Sequence, residues 1–298
     1  MSTNLIWGSI LLIMVSISCN SLDSISLLDP NTPGITPQIF APNFISLANQ
    51  SEYGSTFNEQ QTDFYYGVDI NGKSHINHTQ FVDNKWSTPV TFLIDDIYSY
   101  NDPMLSPAED ELYFISSRPI NEADTTQDFN IWYIKKDVDR WSEPINPGNA
   151  INSDEMEYYT SFSSNKTLYY ASNKQATKDR AFNFDIYKSE FKNGTFRNSD
   201  KLSDAINSRG YEGDVFIAPD ESYIIFTAAR KEGVGKGDLY ISFKEKNDGW
   251  TKSVLMGNTI NTESNEICPF VTQDGRYLFY TSNKDIYWVQ AEIIESFK

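Results

Sequence analysis

Carboxylates recur at one position along the chain. Glu52, Glu157, Glu212 and Glu266 each stand five residues ahead of an apolar residue that opens a polar turn; Tyr100 holds that place in the remaining copy. Two residues further on lie Asp102 and Asp214. Acids gathered closely raise each other's pKa unless a cation or a basic group sits between them. A ring of such groups at the mouth of a channel would suit a metal ion, a basic peptide or a sugar. The same spacing also suits glutamates that cap backbone N–H groups, because repeats copy structural residues as readily as functional ones. The candidate binding set is therefore Glu52, Asp102, Glu157, Glu212, Asp214 and Glu266. Their hard oxygens leave Ca²⁺ open as a ligand; no other cofactor is expected.

The usual catalytic sets are thin. His75 and His78 are the only histidines. Three apart on a strand they point to opposite faces, which makes them poor joint metal ligands. Cys268 beside Pro269 reads as a buried, inert thiol. The stretch GVGKGD (233–238) lacks full phosphate-loop spacing and reads as a turn. Basic residues follow one strand of each copy (Arg118, Lys174, Arg230, Lys284), and Asn130, Asp185, Asp238 and Asp285 open the next. These are expected to pair within each copy and fix its turn.

The elements that position these residues repeat. FNEQQTDFYY at 57, LSPAEDELYF at 105, FSSNKTLYY at 162, IAPDESYIIF at 217 and VTQDGRYLFY at 271 begin 48, 57, 55 and 54 residues apart. A hairpin follows most of them, as in NIWYIKKDVDRWSEP from Asn130 and DLYISFKEKNDGWTKS from Asp238. Each copy thus supplies four short strands in about fifty residues, the period of a propeller blade. The expected fold is an all-β propeller of five four-stranded blades, with six as the runner-up. The last copy lacks a fourth strand. The segment PQIFAPNFISLANQSEYGSTF parallels EPINPGNAINSDEMEYYTSF, so residues 38–49 are expected to supply it and close the ring.

The copies LSPAEDELYFISSRP (105–119), APDESYIIFTAAR (218–230) and QDGRYLFYTSNKDIY (273–287) resemble the TolB-type, WD40-like propeller repeat. The resemblance covers residues 38–298. It implies the propeller fold, while the function stays open, since such repeats serve binding proteins, protease accessory domains and carbohydrate-active enzymes alike.

The formal net charge of −17 argues against nucleic acid as a partner. Residues 5–17, LIWGSILLIMVSI, form an apolar run that is short for a bilayer span and suits a signal peptide. The run ends in VSISC, which resembles the lipobox of bacterial lipoproteins, with Ser16 where that motif usually has Leu. The implied organisation is a signal peptide (1–18), a lipid on Cys19, a tether (19–37) rich in Ser, Asp and Pro, and one propeller (38–298). The expected protein is a monomeric, non-enzymatic lipoprotein facing periplasm or cell surface. It would serve as a binding or scaffold module for an envelope protein or glycan. A carbohydrate-active enzyme using channel carboxylates is the first alternative, and a cation-binding propeller the second.

Overall fold

The computed structural model describes residues 32–298 apart from 123, 127, 139 and 177–182. The leader, Cys19 and the tether as far as residue 31 lie outside the described residues. Five antiparallel sheets of at least four strands follow one another along the chain. The count is five blades rather than six.

The inner strands are Ser51–Phe57, Tyr100–Leu105, Glu157–Phe162, Tyr211–Ile217 and Glu266–Val271. The second strands are Asp63–Ile70, Glu111–Ser116, Leu168–Ser172, Tyr223–Ala229 and Tyr277–Ser282. The third strands are Lys73–Val82, Asn130–Asp137, Asp185–Ser189, Asp238–Phe243 and Asp285–Gln290. A blade has a neighbour on each face, so its central strands cannot alternate apolar with polar. All six residues of ELYFIS in blade 2 are buried, as are all five of LYYAS in blade 3. This explains why the second strands read as unbroken runs of large apolar residues.

The fifth blade is closed by the N-terminal segment. Gln38–Ile39 pairs antiparallel with the third strand, Gln38 opposite Trp288 and Ile39 opposite Tyr287. The Phe40 N–H then donates to the Ile286 carbonyl at 2.8 Å. Contacts start before residue 38, because Pro33 is buried and the Gly34 carbonyl accepts from the Gln290 N–H. The third strand of this blade is thereby covered, and the outer edge left is the two-residue strand Gln38–Ile39. No helix among the described residues is long and apolar enough to cross a membrane.

Candidate functional site

The four recurrent glutamates are nodes of the ring. Their side chains are fully buried. Each backbone N–H donates to a carbonyl of the preceding blade: Glu52 to Lys284, Glu157 to Phe129, Glu212 to Phe184 and Glu266 to Gly237, at 2.8–3.0 Å. Each carboxylate turns back onto its own leading loop. Glu157 accepts from the Ser153 N–H and hydroxyl and from the Ser172 hydroxyl. Glu266 accepts the equivalent three bonds from Thr262 and Ser282. Glu212 accepts from the Ser208 N–H and from Arg230. Glu52 accepts from the Leu47 N–H, with the Gln50 side chain beside it. The backbone at this position latches a blade to its neighbour, and the carboxylate caps a loop, which is a structural reason for its recurrence.

The basic residues do not pair with the residues opening the third strands. Arg230 folds back over the inner strand, donating to Glu212 at 3.1 Å, to the Ser253 hydroxyl and to the Ile206 carbonyl. Lys174 donates to the Tyr170 and Ser199 hydroxyls and lies over the Tyr187 ring. Arg118 lies over Tyr98 and Trp132. Asp185 pairs instead with Lys201 of the outer strand, and Asp238 accepts the Val234 and Gly235 N–H groups. A long side chain just past the second strand has several acceptors and rings within reach, and of the three only Arg230 takes one on the inner strand.

Asp102 and Asp214 behave differently. In every blade the inner strand slips register, after Tyr53, Asn101, Tyr158, Gly213 and Ile267. The residue at each slip has a left-handed backbone: Gly54, Asp102, Tyr159, Asp214 and Cys268, with φ between +45° and +55°. Such a φ is uncommon for a side-chain-bearing residue, and here it occurs at one equivalent position in all five blades. The bulge aims these side chains at the axis. Cys268 of blade 5 reaches Asp102 of blade 2 at 3.6 Å, and Tyr159 of blade 3 donates to the Pro269 carbonyl of blade 5 at 3.0 Å. Blades two apart can meet only on the axis. Gly54 is the small member because a Cβ there would stand 2.3 Å from Asp102 Oδ1.

The axial ring is a buried pair of acids without a basic partner among the described residues. Asp102 is 6% exposed and Asp214 8%. Burial first, then repulsion from Asp214, pushes the Asp102 carboxyl up to about 7. Burial pushes Asp214 up to about 6, against the nearby Thr227 and Tyr211 hydroxyls. Burial and the two acids push the Cys268 thiol up, which removes it as a thiolate nucleophile. Tyr53, Tyr158 and Tyr211, all half-buried, stand beside the acids. Rings continue outward from them: Phe129 lies 5.4 Å from Tyr158, Phe184 5.7 Å from Tyr158, and Tyr211 5.6 Å from Phe184. Beyond the acids, at the far end of the inner strands, the channel widens to a cup of about 260 Å³ walled by Phe57, Met104, Phe162, Phe216 and Phe270.

Of the six candidate residues the structure brings Asp102 and Asp214 together on the axis. It distributes the four glutamates among separate caps. Gly54, Tyr159 and Cys268 escaped sequence reasoning, although they occupy the same aligned column as the two aspartates. Among the described residues no three His, Cys, Asp or Glu side chains gather as a metal-holding group.

The acid pair gives stability a pH dependence. Both carboxyls have folded pKa values above their unfolded ones. They therefore contribute most below about pH 4, and that contribution is lost as pH rises through 6 to 7. The loss is on the order of a few kcal/mol, at about 1.4 kcal/mol per pKa unit. Urea midpoints at pH 5 and pH 8 check this. The fall in wild-type stability across that range should shrink clearly in Asp102→Asn, whereas equal slopes would exclude a raised Asp102.

The fold has solved counterparts. TolB from Acinetobacter baumannii superposes with a TM-score of 0.50 at 12% identity, over 82% of this chain and 55% of that one. The chain thus spans a little over half the length of that protein. TolB from Agrobacterium tumefaciens matches with a TM-score of 0.49 at 11% identity, over 80% of this chain and 72% of that chain. A gluconolactonase from Xanthomonas campestris matches with a TM-score of 0.47 at 12% identity, over 87% of this chain and 96% of that one. No protein-family model matches the sequence, and neither does any curated protein. At such identities the likeness concerns the fold alone: the chain is a five-bladed β-propeller, similar in fold to TolB.

Proposed function

We propose that this propeller is a non-enzymatic binding module of the bacterial envelope, held to the membrane by a lipid on Cys19. Its contact face is the tyrosine-flanked mouth over Asp102 and Asp214. Its partner is a protein that presents a basic side chain. The observation that carries this reading is the acid pair itself. Two buried carboxyls share the axis and no lysine or arginine among the described residues neutralises either. A cationic side chain would supply the missing charge, with its stem against the tyrosine rings. The glutamates, already spent as caps, have no part in it. The partner's lysine would favour the charged acids and lower their pKa values on binding.

Fluorescence anisotropy with short lysine-containing peptides tests this. The free lysine peptide should bind at least about tenfold better than its acetyl-lysine counterpart, the size of one charge-assisted hydrogen bond. Equal binding of the two would overturn the reading. The anchor has its own test. Labelling with radioactive palmitate in a bacterial host should mark the wild-type chain and leave Cys19→Ser unlabelled. Label retained in that variant would remove the lipid from the account. The apolar run at 5–17 and the VSISC sequence support this anchor.

A second reading has one observation in its favour. A carboxyl raised to about 7 beside one raised to about 6 is the arrangement of an acid and its ionised partner in glycoside hydrolysis. Turnover of any polysaccharide by purified protein, abolished in Asp102→Asn, would replace the binding reading with this one.

A further inference from the structure

The aromatic row at the mouth occupies one sector of the propeller. The latch between blades uses only a backbone carbonyl, so the side chain at that place is free to vary. Lys284 and Gly237 supply the carbonyl at two junctions, and Phe129 and Phe184 supply it at the two junctions that flank blade 3. The inner strands add Tyr158 beside Glu157 and Tyr211 beside Glu212. The Tyr211 ring fills the place over Gly213 where a Cβ would stand, so it takes the position that Tyr158 holds in blade 3. Phe129, Tyr158 and Tyr211 are half-buried, and Phe184, between the tyrosines, is buried. Rings that served blade packing alone would be sealed, as Tyr170 and Phe226 of the second strands are.

The geometry of the row decides what it can take. The angles between successive ring planes are 42°, 76° and 61°. A sugar stacks on a flat ring face, and rings tilted this far make no common shelf. They offer edges and faces to one further ring, which packs edge-to-face on its neighbours. Burial first, then the neighbouring acids, push the Tyr158 and Tyr211 hydroxyls up, which keeps the row neutral. An uncharged aromatic side chain suits it.

Across the axis the face is open. Blades 1 and 5 turn there through Asn71–Gly72 and Asn283–Lys284, and a cleft of about 360 Å³ reaches Tyr53 and Ile267, the residues just ahead of the axial Gly54 and Cys268. An extended segment can therefore cross the mouth. In such a segment residues two apart point the same way and stand about 6.6 Å from each other. A lysine directed at the axis then brings the side chain two places away onto the rings that border the acids.

On the binding reading above, on which this depends, we propose that the partner presents a lysine and, two places from it in an extended stretch, an aromatic residue. The lysine reaches Asp102 and Asp214. The aromatic ring docks edge-on against Phe129 and Tyr158 and lengthens the row by one member. Recognition thus reads a charge and a ring at a fixed interval.

Fluorescence anisotropy of the purified protein with labelled peptides in a glycine frame tests the proposal. Of Lys-Gly-Phe and Phe-Gly-Lys, at least one should bind at least about fivefold more tightly than Lys-Gly-Ser. Phe129→Leu keeps apolar packing and loses the ring. It should cut that advantage by about half or more and leave the affinity for Lys-Gly-Ser unchanged. Equal binding of the phenylalanine and serine peptides would overturn the proposal and leave the role of the acid pair standing. Equal binding of the lysine and acetyl-lysine forms of the phenylalanine peptide would remove the acid pair, and the paired recognition with it. A soluble oligosaccharide that binds the wild type and is lost in Phe129→Leu would give the row to a glycan and likewise overturn the proposal.

Discussion

Phe40→Ala should lower the melting temperature by on the order of 10 °C. Phe40 is 2% exposed and wedges between the first and last blades. Its ring packs edge-on against Phe64 at 5.3 Å, Phe279 at 5.0 Å and Trp288 at 5.3 Å. It is also the residue at which the closing strand turns inward, through its N–H to the Ile286 carbonyl. Removing a buried phenylalanine costs about 3–5 kcal/mol, part transfer and part cavity. At roughly 2–4 °C per kcal/mol for a chain of this size, the shift is large and easily read by calorimetry. Because this ring secures the clasp, limited proteolysis should cut the variant first between residues 32 and 50. A shift under about 3 °C would mean that the N-terminal strand is not what closes the ring.

Arg230→Ala should be as damaging, for an electrostatic reason. Glu212 is fully buried, and Arg230 is its only ion-pair partner among the described residues. Arg230 also satisfies the Ile206 carbonyl and the Ser253 hydroxyl and covers the Tyr240 ring at 4.6 Å. Taking away one member of a buried pair costs about 3–5 kcal/mol because the other charge is stranded. Combining Arg230→Met with Glu212→Gln should recover half or more of that loss. The apolar stem would keep its place over the rings, and the amide would still accept from Ser208. Thermal melts of the single and double variants check this. No recovery in the double variant would show that packing of the arginine, not its charge, matters there.

Much of this architecture was legible in the sequence. The spaced copies gave strand number and blade count, because each copy must contribute the same four strands for neighbours to pack. The closing strand was legible in the likeness of residues 38–57 to the lead-in of the third blade. The glutamate column was visible too, but its role was not. A carboxylate that caps Ser153 and one that faces a channel look identical in sequence, and only the path of the leading loop separates them. The bulge ring was hidden for a related reason. Nothing in the letters Gly, Asp, Tyr, Asp and Cys announces a left-handed φ, although a glycine heading that column at position 54 was a trace of it. The ion pairs expected within each hairpin failed because Arg230 and Lys174 are long enough to reach other partners, Glu212 for the arginine and the Tyr170 and Ser199 hydroxyls for the lysine.

The central claim is that the axial aspartates bind and the glutamates build. Affinity for the lysine peptide, measured beside the melting temperature at pH 8, separates the two roles in one experiment on two variants. The account predicts that Asp102→Asn with Asp214→Asn loses the peptide while melting no lower than wild type, since it removes two buried acids that are costly to ionise. It predicts that Glu157→Gln melts lower and binds the peptide unchanged. Peptide binding retained by the aspartate variant, or lost in Glu157→Gln at temperatures where that variant is folded, would contradict it.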